Sequence, residues 1–376
     1  MTEQSVKSIP MFDIEREEID ETITYRLDEN KFVEILGQWK SLSSLSLLRQ
    51  NITEYRTDIL DPSGNQTYNN PPVNSVELSQ AYLFSELDQI NASTTLERAV
   101  YYIDRLIKGA TEIHTNQIND INLNRWKEYG DIYTDSLWLI DRRDSSGVHT
   151  ADYWGNFIPQ IPHQLMLRYS KKGEWVLDTF AGSGTSLIEG QRLGRNTIGI
   201  ELQSRMVKQA KNLVSLEPNK HSVIVDVVCG DSAAIDYKAM LQSYGQESVQ
   251  LVIMHPPYFD IIKFSYDPRD LSNATDIGRF LDMMGAIVDN ASRVLDKGRY
   301  LAVVIGDKYS QGEWIPLAFR TMDEVLKRGF SLKSIVVKNF EDTLGKRNQK
   351  ELWRYRALAG GFYIFKHEYI LIFRKR

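Results

Sequence analysis

The fold of this chain is decided by the stretch Val176-Leu177-Asp178-Thr179-Phe180-Ala181-Gly182-Ser183-Gly184-Thr185-Ser186. Its short apolar run predicts a buried strand, and the two glycines that follow predict a tight turn where a ligand can touch the backbone. A helix is predicted to begin near Thr185. A strand, a glycine turn and a helix form one unit of a parallel α/β sheet, and ligands bind at the carboxyl ends of such strands.

A second strand and a carboxylate follow at a telling distance. The segment Gly194-Arg195-Asn196-Thr197-Ile198-Gly199-Ile200-Glu201-Leu202 predicts a turn, a strand and a terminal acid. A carboxylate about 20 residues past a glycine turn is placed to accept both hydroxyls of a ribose. The pattern Gly-x-Gly-x-x-Gly is not completed, because position 187 is Leu, and this argues against a dinucleotide.

Further along the chain, the tetrapeptide His255-Pro256-Pro257-Tyr258 follows the apolar run Leu251-Val252-Ile253-Met254. Neither proline can donate to a sheet ladder, so the pair predicts the end of a buried strand. A polar side chain, two rigid residues and an aromatic ring predict a narrow pocket. A flat base could stack on Tyr258 there while its amino group meets acceptors.

Both segments resemble motifs of the S-adenosylmethionine-dependent DNA amino-methyltransferases, which modify adenine at N6 or cytosine at N4. The first motif of that family reads Asp-x-Phe-x-Gly-Ser-Gly-Thr, and its catalytic motif reads (Asp/Asn/Ser)-Pro-Pro-(Tyr/Phe). His255 departs from the second pattern. The resemblance spans roughly residues 150 to 376, with the cofactor motif before the catalytic one. It implies S-adenosylmethionine as cofactor, DNA as partner, and flipping of the target base out of the duplex.

The resemblance also assigns roles to individual residues. It makes His255, Pro256, Pro257 and Tyr258 catalytic. His163 lies in a segment, 157–166, that resembles the helix entrance over the methionine end of the cofactor, and Asp231 matches the acid that contacts the adenine amino group. The residues expected to bind the cofactor are Asp178, Phe180, Ala181, Gly182, Gly184, Thr185, Glu201, Leu202, Asp231 and His163.

The expected mechanism depends on hydrogen-bond acceptors, because the lone pair of an exocyclic amino group is delocalised into the base. Acceptors on His255 and on the Pro256 carbonyl could hold the amino hydrogens so that the lone pair faces the methyl group. A neutral histidine has one acceptor nitrogen, so only one tautomer serves. Methylation is then expected to fall as pH drops through about 6.5. Alternatively, His255 only caps the strand and the carbonyl does the positioning.

Alternating strands and helices predict an α/β fold, a seven-stranded Rossmann-like methyltransferase sheet whose last two strands are antiparallel. This methyltransferase domain is assigned to residues 151–376. Residues 1–150 are predicted to be a mainly helical region, with helices over 31–50 and 73–110, and with a target-recognition or interaction role. The recognition of a base sequence is assigned to this region, to inserts at 259–280 and 340–362, or to a partner.

A net charge of −5 requires any DNA-binding surface to be local. Basic residues interleaved with Trp353 and Tyr355 predict a phosphate-binding hairpin between the last two strands; the alternative is a solvated hairpin whose tryptophan packs on the sheet. The residues expected to contact DNA are Lys263, Lys346, Arg347, Lys350, Arg354 and Arg356.

Other classes are argued against by composition. Apolar runs are far shorter than the ~20 residues of a membrane span, no signal peptide is visible, and a single cysteine indicates a cytoplasmic protein. No metal site is expected, because the histidines are scattered along the chain. The competing functions are an RNA base amino-methyltransferase and an inactive cofactor-binding scaffold. Adenine versus cytosine, the recognition sequence, a homodimer, and a restriction nuclease or specificity partner are left open.

Overall fold

The computed structural model describes residues 23–60, 74–150, 155–340 and 350–376. The chain forms two compact units. One runs to Thr115 and includes Asn122–Gly130, and the other contains Asn116–Ile121 and Asp131–Arg376. Within the described ranges, no helix has the length and apolar character needed to cross a membrane.

Within its described residues, the first unit packs four α-helices with a small antiparallel sheet. The strands are β1 (Thr24–Asp28) and β2 (Ser75–Ser79), and the helices are α1 (Glu29–Lys40), α2 (Leu45–Leu60), α3 (Gln80–Asn91) and α4 (Leu96–Thr111). Asp28, Ser79 and Thr95 cap three of these helices through their side chains. The helix expected over 73–110 is wrong at its start, because β2 occupies this part of the chain. Val76 and Leu78 are buried at alternate positions, which is the period of a strand.

The second unit is built on an eight-stranded sheet. Its strands are β3 (Leu137–Trp138), β4 (Trp175–Asp178), β5 (Asn196–Glu201), β6 (Val225–Cys229), β7 (Val249–Met254), β8 (Leu295–Ile305), β11 (Phe330–Asn339) and β12 (His367–Lys375). Their order across the sheet is β3-β11-β12-β8-β7-β4-β5-β6. A separate hairpin pairs β9 (Lys308–Ser310) with β10 (Glu313–Ile315). The α/β sheet is confirmed with its antiparallel last pair. The short β3 is an addition to the seven expected strands.

Helices cover both faces of this sheet. They are α5 (Gln160–Tyr169), α6 (Thr185–Leu193), α7 (Ser204–Leu216), α8 (Tyr237–Gln242), α9 (Ile277–Ser292), α10 (Leu317–Leu326) and α11 (Lys350–Gly360). Successive side chains of the central β4 enter opposite cores: Val176 packs in the core that includes Leu165 of α5, and Leu177 packs in the core that includes Ile287 of α9. Burial on both faces explains the continuous apolar runs in the sequence.

The topology brings distant segments to one edge of the sheet. Strands β4, β5, β6, β7 and β8 are parallel, so their carboxyl ends share that edge. Because β12 runs antiparallel to β8 and β11, its first residues lie at the same edge as the last residues of β11. The expected hairpin between β11 and β12 is wrong, since α11 occupies part of this segment. Interleaved basic and aromatic residues set its surface chemistry, whereas the helix includes the strong helix formers Ala357, Leu358 and Ala359.

Candidate active site

The glycine turn after β4 is held together by a buried acid. Gly182 and Gly184 have positive φ values of 51° and 89°, which a residue with a Cβ rarely adopts, and α6 begins at Thr185. The carboxylate of Asp178 accepts hydrogen bonds from the Phe180 N–H at 2.9 Å and from the Ser186 hydroxyl. Burial raises the pKa of Asp178 to about 6. Asp178 therefore shapes the turn from behind.

Glu201 closes the same turn from the neighbouring strand. Its Oε2 accepts the Gly182 N–H at 2.9 Å, and its Oε1 accepts the Gln203 N–H at 2.8 Å. Burial raises the pKa of Glu201 above its ordinary value. Each carboxylate oxygen has two lone pairs, so both oxygens can still accept a ligand hydroxyl. This is the geometry required to hold a ribose beside the turn.

One cavity of about 750 Å³ joins the cofactor and catalytic residues expected from the sequence. This volume lies in the range of small-molecule sites in proteins. The expected residues that line it are Phe180, Ala181, Gly182, Glu201, Leu202, Asp231, His255, Pro256, Pro257 and Tyr258. Asp178, Gly184, Thr185 and His163 do not line it. The sequence-based prediction did not include Arg143. This residue lines the cavity and donates hydrogen bonds to the Phe157 and Thr150 carbonyls, both at 2.9 Å.

Thr185 and His163 lie behind the cavity wall. The Thr185 hydroxyl donates to Asn156 Oδ1 at 2.6 Å, and Asn156 lines the cavity. His163 Nδ1 lies 2.7 Å from Glu189 Oε2. Thr185 therefore contacts a residue of the wall and His163 contacts α6, and the expected contact of both with the cofactor stays a prediction.

Glu189 also belongs to a cluster that the sequence did not show. Asp144, His149 and Glu189 bring three potential metal-ligating atoms within 4.8 Å of one another. Arg192 Nη1 lies 3.3 Å from Glu189 Oε1 and 3.8 Å from Asp144 Oδ2, so a fixed cation already balances these acids. Burial favours protonation of Glu189, but His149 and His163 hold its pKa at about 2. We interpret the cluster as a network of ion pairs. The expectation that the protein has no metal site stays a prediction.

His255 begins the tetrapeptide and is enclosed by aromatic rings. Its imidazole stacks on Phe157 with ring centroids 4.7 Å apart and an interplanar angle of 23°. Burial lowers the pKa of His255 to about 4. The ring is therefore neutral at pH 7, as an acceptor must be. A solvated imidazole would give an acid limb near pH 6.5, whereas burial moves the limb expected from His255 toward pH 4; the pH profile stays a prediction.

Tyr258 connects His255 to two charged residues. Its hydroxyl lies 3.2 Å from His255 Nε2 and donates to Glu368 Oε2 at 2.7 Å, while Glu368 Oε1 accepts Lys338 Nζ at 3.0 Å. The Tyr258 ring also lies over Gly306, where an added Cβ would come within 2.9 Å of Cε2.

The charged pair was missed by sequence reasoning. Lys338 is 5% exposed and Glu368 is 8% exposed. Each charge lies within a strand rather than after one, and the two residues face each other across β11 and β12. A charge inside a largely apolar strand was the signal that could have identified them.

The expected DNA contacts are only partly described. Arg354 and Arg356 are exposed on α11, and the Arg356 guanidinium lies 5.3 Å from the centroid of Trp353, which lines the cavity. Lys263 is exposed and lies 4.6 Å from the ring of Tyr266. Lys346, Arg347 and the side chain of Lys350 lie outside the described residues. Two of the described cations, Arg356 and Lys263, therefore lie beside aromatic rings, and one of these rings, that of Trp353, lines the cavity.

Known proteins resemble this chain in part. It is 27% identical over 139 residues to the type II methyltransferase M.MthZI of Methanothermobacter thermautotrophicus, covering 34% of this chain and 38% of that protein. It is 32% identical over 100 residues to M2.DpnII of Streptococcus pneumoniae, covering 25% and 34%. Each match thus spans less than half of the relative. Among solved structures, TrmN of Thermus thermophilus aligns at 15% identity with a TM-score of 0.38, covering 58% of this chain and 49% of that one.

The match to a protein family is more extensive. The family model described as DNA methylase, N6_N4_Mtase, matches residues 78–212 and 249–376. These ranges contain the glycine turn, Glu201, the tetrapeptide and the Lys338–Glu368 pair. More than half of the chain is covered, and the chain belongs to the DNA methylase family.

Proposed function

We propose that this protein is a site-specific DNA methyltransferase that moves a methyl group from S-adenosylmethionine to the exocyclic amino group of adenine (N6) or cytosine (N4). The observation that carries the proposal is that Glu201 and His255 line the same cavity. A nucleoside-recognising carboxylate and a base pocket must share one space for direct transfer between two ligands. Membership of the DNA methylase family supports DNA as the substrate.

The hydrogen-bonding groups at one end of the cavity fit S-adenosylmethionine. Glu201 can accept the ribose hydroxyls, and Asp231, whose Oδ1 already accepts the Ala233 N–H at 2.9 Å, can accept from the adenine amino group. Arg143 is a cation suited to the carboxylate of the methionine end. When bound, the cofactor supplies an electrophilic methyl group on a sulfonium sulfur.

The tetrapeptide can prepare the nucleophile at the other end. The target base stacks on Tyr258, while neutral His255 and the Pro256 carbonyl accept the two amino hydrogens. This orientation turns the nitrogen lone pair toward the methyl group. The bound cofactor would supply the methyl group to this nitrogen, and one of the two held amino hydrogens would leave as a proton by way of its acceptor to solvent. A base within a duplex cannot reach this geometry, so the mechanism includes base flipping.

The proposal extends to the partners of the protein and to its location in the cell. Arg354, Arg356 and Lys263 can neutralise phosphates, and the helical first unit is a candidate for reading the target sequence. Relatives named type II methyltransferases support a restriction-modification role with a restriction nuclease or specificity partner. A homodimer is a further candidate assembly. The single cysteine supports a cytoplasmic location.

The function can be tested by identifying the methylated base. Genomic DNA and total RNA from a methylation-deficient host expressing the protein are digested to nucleosides and analysed by mass spectrometry. We expect N6-methyladenine or N4-methylcytosine in DNA, and we expect a lower level of that base in a host expressing the Glu201→Ala variant. Methylation confined to RNA would favour the RNA enzyme, and methylation of neither would favour the inactive scaffold.

A further inference from the structure

Four side chains from three parts of the chain form one hydrogen-bonded line. His255 and Tyr258 follow β7, Lys338 lies near the end of β11, and Glu368 lies near the start of β12. From end to end, the line runs from Lys338 Nζ to Glu368, then to the Tyr258 hydroxyl, then to His255 Nε2, with distances of 3.0, 2.7 and 3.2 Å. Lys338 and Glu368 have no place in the chemistry described above, although burying two charges is costly.

The direction of each hydrogen bond in this line is determined. Ion pairing with Lys338 and the hydrogen bond from Tyr258 favour the ionised form of Glu368, which can only accept. Tyr258 has a single hydroxyl proton, so donating it to Glu368 leaves only the tyrosine oxygen facing His255. That oxygen can accept but not donate. His255 must therefore present a proton at Nε2, and its lone pair must lie on Nδ1.

We propose that Lys338 and Glu368 are positioning residues that act through Tyr258 to hold His255 as its Nε2–H tautomer. The role of the free Nδ1 as acceptor for the target amino group rests on the proposed function, whereas the tautomer itself does not. The family residues Asp, Asn and Ser carry an acceptor oxygen and need no tautomer control. A histidine at this position needs such control, because its other tautomer would direct an N–H at the site where an acceptor is required.

The sheet explains why the line can form. Glu368 and Lys338 lie opposite each other on antiparallel strands, so the pair is fixed by backbone register. The line must pass the end of β8, which lies between β7 and β12. Gly306 follows β8 and leaves room for the Tyr258 ring at this point. Backbone order thus fixes the acceptor for the tyrosine proton before any ligand binds.

The tautomer can be measured directly by nitrogen-15 NMR on the full chain at pH 7, without cofactor or DNA. The chain has six histidines, and loss of one set of signals in the His255→Asn variant assigns His255. We expect a proton on Nε2 and an unprotonated Nδ1. A proton on Nδ1 in the wild-type protein would overturn the proposal.

Two variants separate tautomer control from general packing. Tyr258→Phe keeps the ring and removes the hydroxyl, and it should release the Nε2 proton to fast solvent exchange and populate the Nδ1–H tautomer. Tyr369→Phe is a matched control, because it removes a hydroxyl that lies 3.0 Å from Nε2 of another histidine, His367. The control should leave the His255 signals unchanged. Unchanged His255 signals in Tyr258→Phe would also overturn the proposal.

The charged pair is tested as a unit, because removing one partner of a buried ion pair strands the other charge. The double variant Lys338→Met with Glu368→Leu keeps charge balance and volume, and it should populate the Nδ1–H tautomer at least as much as Tyr258→Phe does, because the tyrosine proton is then free to be donated to His255 Nε2. Its single-turnover methylation rate should fall about tenfold with cofactor affinity unchanged. A wild-type tautomer in the double variant would remove Lys338 and Glu368 from the assignment.

The same measurements distinguish the two hypotheses. An Nε2–H tautomer that responds to Tyr258→Phe, in a protein that methylates no nucleic acid, would sink the proposed function and leave the positioning role standing. Methylated DNA together with an Nδ1–H tautomer would do the reverse.

Discussion

The two ends of the cavity are built in different ways. At the cofactor end, the bond from the Gly182 N–H to Glu201 joins residues 19 positions apart, and β4 and β5 are neighbours in both sequence and space. At the catalytic end, the bond from Tyr258 to Glu368 joins residues 110 positions apart. The cofactor end relies on backbone N–H groups, whereas the catalytic end relies on a chain of side chains. We therefore expect substitutions at one end to leave the other end working.

The largest effect is expected at the catalytic end. His255→Ala removes an acceptor that holds the target amino group, and losing one such preorganised group costs about 100-fold or more in rate. Single-turnover methyl transfer measures this loss, while calorimetric titration with S-adenosylmethionine should show wild-type affinity. His255→Asn, which restores a family residue, should recover part of the rate. If His255→Ala reacts at the wild-type rate, the histidine only caps the strand and the Pro256 carbonyl does the positioning.

The next effect tests the cofactor end. Glu201→Ala removes the acceptors of the ribose hydroxyls, each hydrogen bond to a charged group being worth roughly 1.5–3 kcal/mol before compensation. The same change frees the Gly182 N–H, so cofactor affinity should fall at least tenfold in a calorimetric titration. Duplex DNA binding should be unchanged. Glu97→Ala, an exposed acid in the first unit, is the control. Unchanged cofactor affinity in Glu201→Ala would show that the ribose lies elsewhere.

A smaller effect, on DNA binding, is expected from the exposed arginines of α11. Replacing both Arg354 and Arg356 by Gln should weaken duplex binding and flatten its salt dependence by about one slope unit for each lost phosphate contact. Fluorescence titrations over a range of salt concentrations give the slope. Arg293→Gln is a matched control, because this exposed arginine lies just before β8, at the opposite edge of the sheet. A wild-type slope in the double variant would make α11 a solvated surface.

The smallest effect concerns pH. The pKa of His255 is about 4 in the folded chain, below its ordinary 6.5, so between these values the unfolded chain binds more protons. The contribution of this site to stability is complete above pH about 6.5 and is lost as pH falls toward 4. Because a histidine with this pKa stays neutral from pH 6 to pH 8, its titration should not change the single-turnover rate over that range. A limb near 6.5 that vanishes in His255→Asn would show that the imidazole is solvated.

Particular residues show how far sequence reasoning reached. Strand-and-turn patterns located Glu201 and the tetrapeptide correctly within one cavity, because each signal is local. Asp178, Thr185 and His163 carry motif positions but lie behind the wall, since a motif does not distinguish contact from support. Lys338 and Glu368 were missed because a charge within an apolar strand marks a residue of interest but does not show which residue lies opposite it. The segment around Arg354 was assigned as a hairpin because charge and aromatic content do not specify backbone conformation.

The sequence by itself determined the α/β sheet, the glycine turn with its carboxylate, and the tetrapeptide at the end of β7. Each of these depends on properties that act over a few residues: the burial of a strand, a positive φ, and the missing N–H of proline. Only the tertiary structure decided that His255 Nε2 lies beside the Tyr258 hydroxyl and that burial lowers the pKa of this histidine to about 4. Burial lowers the pKa of His255, and Glu368, which the antiparallel β12 brings to the edge where β7 ends, accepts the Tyr258 proton. Desolvation and hydrogen-bond direction depend on neighbours in space, which chain order does not specify.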